Sequence, residues 1–256
     1  MSTPDVGSFD DWYRAIVASP RWDPFVRRWL DLPPEVESSG YLSGPGLVEV
    51  LDELGLEPGR MLVELGCGRG GYGMVAARAS GARLIGVDFS AVAVAAARRQ
   101  AVHLQLDDVA EFRVGDLTSS GVPSGSAGAV LCVDAFHFAC PPAAAAECRR
   151  LLEPGGRLVL TSWEPVALGD PVLPGRLRDL DVGRELAAAG LVDVEVSPRP
   201  AWSSVERSLW EAAVTLEPAG DPAIADLVEE AEELLPLAPH LRRVLVTARG
   251  PATTGT

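Results

Sequence analysis

The chain contains no lysine: all 22 basic residues among its 256 are arginine. A protein without lysine forms no Schiff base with a carbonyl substrate or pyridoxal. It also lacks the lysine that ends a Walker-type phosphate loop. Basic residues are outnumbered by 36 Asp and Glu, for a net charge of −14. No basic run exceeds a pair such as Arg27-Arg28. Nucleic acid needs a basic surface, so this balance argues against it as a partner. The four cysteines, Cys67, Cys132, Cys140 and Cys148, include no CxxC pair, and none of the three histidines lies at metal-ligand spacing from them. We expect reduced thiols and no metal. No apolar run approaches the roughly 18 residues of a membrane span, and no signal peptide is read. The expectation is a soluble cytoplasmic protein, monomer or homodimer, with the Ala- and Gly-rich, Lys-free composition of a GC-rich bacterial source.

What is present is a core-forming chain, 47% hydrophobic. Residues 1–45 lack strand patterning and read as a helical N-terminal arm, with short helices at 10–17 and 24–30. The arm is rich in aromatic rings: Phe9, Trp12, Tyr13, Trp22, Phe25, Trp29 and Tyr41. Residues 46–250 read as one α/β domain, and 251–256 as a tail. Strands are expected at 61–65, 83–88, 111–114, 129–133, 157–162, 192–196 and 241–247. Helices alternate with them, a loop is expected over 165–181, and a helical insertion at 199–240 precedes the last strand. Seven strands in such alternation predict a Rossmann-like, doubly wound, mostly parallel sheet. The second helix of the insertion, from Pro222, is strongly acidic on one face.

The chain is organised around residues 63–73, Val-Glu-Leu-Gly-Cys-Gly-Arg-Gly-Gly-Tyr-Gly. An apolar strand, a glycine turn and a helix in that order form the nucleotide corner of a doubly wound sheet. Gly66-x-Gly68-x-x-Gly71 matches the dinucleotide pattern, with Asp88 22 residues after Gly66. Glu64, two residues before the first glycine, counts against that ligand. A carboxylate beneath the turn repels a pyrophosphate and suits a cation such as an amine or sulfonium. Arg69 offsets this charge in part, unless its long side chain turns to solvent.

Four segments carry a resemblance. Residues 63–70 resemble motif I of the class I S-adenosylmethionine-dependent methyltransferases. Gly86-Val87-Asp88-Phe89-Ser90 resembles their next motif, Gly115-Asp116-Leu117 their acidic site beside adenine, and Leu151 to Leu158 their late turn and strand. The resemblance spans residues 61–163. It implies S-adenosyl-L-methionine as cofactor and assigns roles. Glu64 supports the glycine turn and the methionine end. Gly66, Cys67, Gly68 and Gly70 bring the backbone close to the amino acid moiety and ribose. Asp88 accepts from both ribose hydroxyls, Phe89 packs on adenine, and Asp116 accepts from the adenine amine beside the Leu117 amide. Asp134 and Ala135 follow strand four, where the family's sulfonium and methyl lie. Ala127-Gly128-Ala129 departs from the family, which usually has an acid there.

The acceptor is expected to be a small, hydrophobic metabolite. Methyl transfer from a sulfonium is an in-line displacement, and a base is needed only where a phenol or alcohol must lose its proton early. His137, three residues past Asp134, is the candidate general base; His103 and His240 lie elsewhere. On that ground O-methylation is favoured over N- or C-methylation. Tyr13, Trp22, Tyr41, Trp163 and Glu164 are candidate acceptor contacts. A nicotinamide-dependent oxidoreductase and a cofactor-binding protein that does not methylate remain as alternatives.

Overall fold

The computed structural model describes residues 6–252. The first five residues of the arm and residues 253–256 of the expected tail lie outside the described residues. Strands β1 (Met61–Leu65), β2 (Arg83–Asp88), β3 (Ala110–Val114), β4 (Ala127–Val133), β5 (Leu152–Pro165), β6 (Val192–Pro198) and β7 (Leu241–Arg249) form one sheet in the order β3-β2-β1-β4-β5-β7-β6. The first five strands pair in parallel, and β7 runs antiparallel between β5 and β6. Strand order reverses between β1 and β4, which opens a crevice at their carboxyl ends.

The strands are legible because both faces are covered. Leu62, Val63 and Leu65 of β1 and Val130, Leu131 and Cys132 of β4 are all buried, so these strands are continuous apolar runs rather than alternating ones. The flanking helices are α1 (Val6–Ala18), α2 (Trp22–Leu30), α3 (Gly44–Leu54), α4 (Gly71–Ser80), α5 (Ala91–His103), α6 (Pro141–Leu151), α7 (Gly175–Arg178), α8 (Val182–Ala188), α9 (Pro200–Ala213) and α10 (Pro222–Leu234). Their starts follow from local chemistry. Ser43, Ser90, Asp181 and Asp221 cap α3, α5, α8 and α10 through side-chain oxygens that accept from free backbone amides. The arm is not a loose appendage: Ile16, Trp22, Val26 and Leu30 belong to the same hydrophobic core as the sheet.

Three local expectations differ from the structure. The turn expected at Pro154–Gly156 is the irregular start of β5, which begins directly after α6 and pairs Leu152 with Ala127 before a register shift. The segment 165–181, expected as loop, contains the single turn α7, closed by the amides of Leu177 and Arg178 donating to Pro174 O. Arg69, expected to offset the charge of Glu64 in part unless it turned to solvent, is buried and paired elsewhere. Its guanidinium donates to both oxygens of Asp23, at 2.6 and 3.1 Å, and to Ser38 O at 2.8 Å. It ties α2 and the segment before α3 to the glycine turn.

Candidate active site

The turn after β1 is shaped by close approach. Gly66 has φ +68°, and a Cβ there would collide with Ala135. One carboxylate oxygen of Glu64 lies against the first turn of α4, where any side chain at Gly73 would strike it. Burial pushes the Glu64 carboxyl up to about 8, against the downward pull of the Gly73 amide.

The next carboxylates stand at strand ends. Asp88, last residue of β2, accepts from the Gly68 amide at 2.8 Å and the Ser90 amide at 2.9 Å, one on each oxygen. Each oxygen keeps acceptor capacity toward the cavity. Burial raises Asp88 to about 6, although both amides work against it. Asp134, just beyond β4, takes a left-handed backbone with φ +54°. Its carboxylate accepts from Thr161 Oγ1 (2.6 Å), the Tyr41 amide (3.1 Å) and Arg243 Nη2 (2.6 Å).

These groups border one cavity of about 560 Å³. Glu64, Gly66, Cys67, Gly68, Asp88, Phe89, Leu117, Asp134 and Ala135 line one side of it. Aromatic rings of Phe9, Trp12, Tyr13, Tyr41, Tyr72, Phe138 and Trp163 form much of the remaining wall, with Tyr13 set against the glycine turn. Phe9 joins the two groups, with its ring centroid 5.0 Å from that of Phe89 and 5.5 Å from that of Phe138. The rest is acidic. Asp226, Glu229, Glu230 and Glu233 recur at helical spacing, so one face of α10 points into the cavity, while Ala223, Leu227 and Ala231 are buried in the core. Tyr41 Oη donates to Glu230 Oε2 at 2.5 Å, and burial holds the Glu230 carboxyl above its ordinary range. Arg176, from α7, is the one basic side chain among the described lining residues.

Several expected site residues stand elsewhere. Gly70 starts α4, its Cα facing the Phe112 ring rather than the cavity. Asp116 is exposed, and its Oδ1 accepts from Thr118 N and Oγ1, which makes it a turn former; its neighbour Leu117 reaches the cavity. Trp22 is buried edge-on against Trp12, one layer behind the wall. Glu164 is buried and occupied by Arg242 Nη2 and the Val182 amide, both at 2.9 Å. His137 is 2% exposed and lies outside the cavity lining. Its ring stands behind Phe138 (4.2 Å) and Trp163 (4.9 Å), and burial, with Arg176 and Arg243, holds it well below the ordinary histidine range. It is therefore a neutral imidazole shielded from the cavity.

The residues that sequence reasoning missed are Arg176, the acidic face of α10, and the buried pair Arg243 and Glu206. The acidic face was visible as a pattern, but nothing in the pattern said which way it points. The other three left no local signal.

Residues 63–160 match the family model of a methyltransferase domain. Nocamycin O-methyltransferase of Saccharothrix syringae is 32% identical over 186 residues, 71% of this chain and 62% of that protein. Phosphoethanolamine N-methyltransferase 1 of Arabidopsis thaliana is 28% identical over 177 residues, 64% of this chain and 36% of that one. The chain thus spans less than two thirds of the length of these curated relatives. A solved geranyl diphosphate methyltransferase in complex with SAM has the same fold, with a TM-score of 0.69 at 22% identity over 92% of this chain and 94% of that one.

The chain belongs to the class I S-adenosylmethionine-dependent methyltransferases.

The cavity fits the family's cofactor. Its volume lies in the range of small-molecule sites. A buried carboxyl whose pKa burial has raised, as at Glu64, gains most from a cationic neighbour. Asp88 has the free acceptor capacity that a ribose diol needs. Glu64, Gly66 and Gly68 would hold the methionine end, Asp88 the ribose, Phe89 and Leu117 the base, and Asp134 with Ala135 the sulfonium end.

Proposed function

We propose that this chain transfers a methyl group from S-adenosylmethionine to a small-molecule acceptor that carries an amine. S-adenosylmethionine supplies, when bound, a methyl already activated on a sulfonium. The observation that carries the amine reading is the acidic face of α10 set opposite aromatic rings across one cavity. As an amine attacks the methyl carbon in line, positive charge grows on nitrogen. Carboxylates fixed beside the acceptor stabilise that charge more in the transition state than before attack. Aromatic faces do the same for ammonium groups. A phenolate or diphosphate would meet the same wall with repulsion. The amine attacks neutral and loses its proton after transfer, so no early base is required. The relative that methylates the amine of phosphoethanolamine supports this reading. We read α1 and α2 as the arm that closes the cavity over both ligands.

O-methylation with His137 as base is the second reading, supported by the O-methyltransferase relative and by the neutral state of His137. It requires the His137 ring to reach the cavity past Trp163 and Phe138. The deciding experiment supplies labelled S-adenosylmethionine with matched amine and phenol panels. Label entering amines, with a raised KM in Glu230→Gln, supports the proposal. Label entering phenols alone overturns it in favour of the second reading. Tight S-adenosylhomocysteine binding with no methylated product from any acceptor would mark a non-methylating binder, and nicotinamide binding in its place an oxidoreductase.

A further inference from the structure

Arg243 lies on β7 opposite Trp163 of β5 in the antiparallel register. Its side chain is 1% exposed, yet it does not touch the cavity. Nη2 donates to Asp134 Oδ1 at 2.6 Å, and Nη1 to Glu206 Oε2 at 2.9 Å. Glu206, on α9, uses its other oxygen to accept from Trp163 Nε1 at 2.7 Å. The guanidinium carbon stands 4.5 Å from the centre of the Trp163 ring. Trp163 is therefore fixed twice, by the charge over its ring and by its indole N–H. Asp134 is fixed by Arg243 and Thr161 on one oxygen and by the Tyr41 amide on the other.

We propose that Arg243 is a positioning residue for methyl transfer, holding Asp134 and Trp163 at the junction of the cofactor end and the acceptor wall.

Three features support this role. Asp134 has a left-handed backbone, a conformation that persists in a non-glycine residue only when its surroundings hold it, and Arg243 supplies one of those holds. The planar guanidinium spans two carboxylates and an indole face at once, which the single ammonium of a lysine does not reproduce. Through Glu206 the network also joins the insertion helices to the sheet, and the insertion supplies the acidic wall. One buried cation thus sets the distance between the two halves of the site. An in-line displacement is sensitive to misplacement on the ångström scale, so loosening this hub should slow transfer without removing any group that binds the cofactor.

The inference rests on the methyl-transfer reading, and the experiment separates the two. Three variants are compared with wild type: Arg243→Lys, Glu206→Gln and Trp163→Phe. The last keeps an aromatic ring but loses the indole N–H tether and part of the ring surface. Each is measured for kcat, acceptor KM, S-adenosylhomocysteine affinity and the indole N–H resonances in an ¹⁵N spectrum, where Trp163→Phe assigns the Trp163 signal. The expected result for Arg243→Lys is a fall in kcat of about thirtyfold, with cofactor affinity within about threefold of wild type and a displaced Trp163 signal. Glu206→Gln and Trp163→Phe should each lower kcat about fivefold. If Arg243→Lys does not fold, the two milder variants decide. Unchanged kcat in the folded variants overturns the inference. So does loss of kcat and cofactor affinity in equal measure, which marks a structural residue. If wild type methylates nothing, the underlying reading fails instead, and the Trp163 signal in Arg243→Lys still tests the positioning: displacement supports it and an unmoved signal overturns it.

Discussion

Tyr41 donates its hydroxyl to Glu230 and its backbone amide to Asp134. One residue thereby joins the acceptor wall to the cofactor end. Tyr41→Phe should keep the ring against Trp163 and Trp210 and remove only the Glu230 contact. Its loss removes the hydrogen bond that lowers the Glu230 carboxyl and leaves that group unanchored, so the KM for a cationic acceptor should rise about threefold or more. S-adenosylhomocysteine affinity should stay at the wild-type value. Steady-state kinetics and calorimetry on the same variant check both halves.

If Asp88 holds the ribose, it should set the pH dependence of cofactor binding. Burial raises its carboxyl to about 6, and ribose hydroxyls donate best to the ionised carboxylate. Affinity for S-adenosylhomocysteine should be level above about pH 7 and fall toward tenfold per unit below about pH 6. Asp88→Ala should weaken binding by about 1.5–3 kcal/mol and flatten that slope. Titration calorimetry at several pH values is the measurement. A wild-type affinity that does not move with pH would remove the ribose assignment.

The buried carboxyl of Glu64 has its pKa raised from 4.5 to about 8, chiefly by burial. The folded state therefore holds a proton that the unfolded chain releases between these two values. The stability it contributes is complete below the unfolded pKa and is lost as pH rises toward 8. Chemical denaturation of the cofactor-free protein should show stability falling across that window. Glu64→Gln should reduce the slope. Saturating cofactor should reduce it as well, because a cation beside Glu64 lowers its pKa.

His137 discriminates between the two acceptor readings. A general base makes His137→Ala lose most of its turnover while cofactor affinity holds. We expect turnover on an amine acceptor within about threefold of wild type instead, with a stability loss of about 2 kcal/mol from the cavity left behind Trp163. Turnover at saturating acceptor, alongside a denaturation curve, reads both quantities.

Arg69 should matter to the arm rather than to chemistry. Removing its buried guanidinium leaves Asp23 with only the longer Arg27 contact, at 3.7 Å, and the Ser38 carbonyl with only the Trp22 indole, at 3.4 Å. Arg69→Met should cost about 3 kcal/mol, lowering Tm by roughly 6 °C or more. Limited proteolysis should cut first between α2 and α3. An unchanged melting temperature would mean that the arm is held by its apolar core alone.

The cofactor half of this site was legible in the sequence because it is local. A buried strand, a turn that needs small residues and a capped helix are contiguous, and the acids at positions 64 and 88 stand at strand ends that hydrophobic runs reveal. Seven strands and the late insertion followed from the same patterning. Where local signals were ambiguous, the reading slipped: the glycines at 155 and 156 lie within a strand, and Asp116 serves its own turn. The rest of the cavity was legible only in part: Tyr13, Tyr41 and Trp163 were named from the sequence and line it, whereas Arg176 and the acidic face of α10 were not placed there. Tyr41, Asp134, Trp163, Glu206, Glu230 and Arg243 come from segments far apart in the chain. Only the return of β7 between β5 and β6 sets Arg243 beside Trp163 and Asp134. Only the docking of the insertion decides that the acidic face of α10 looks inward rather than to water. Charge spacing along a helix is the same in both cases; packing against the arm is what turns that face toward the cavity.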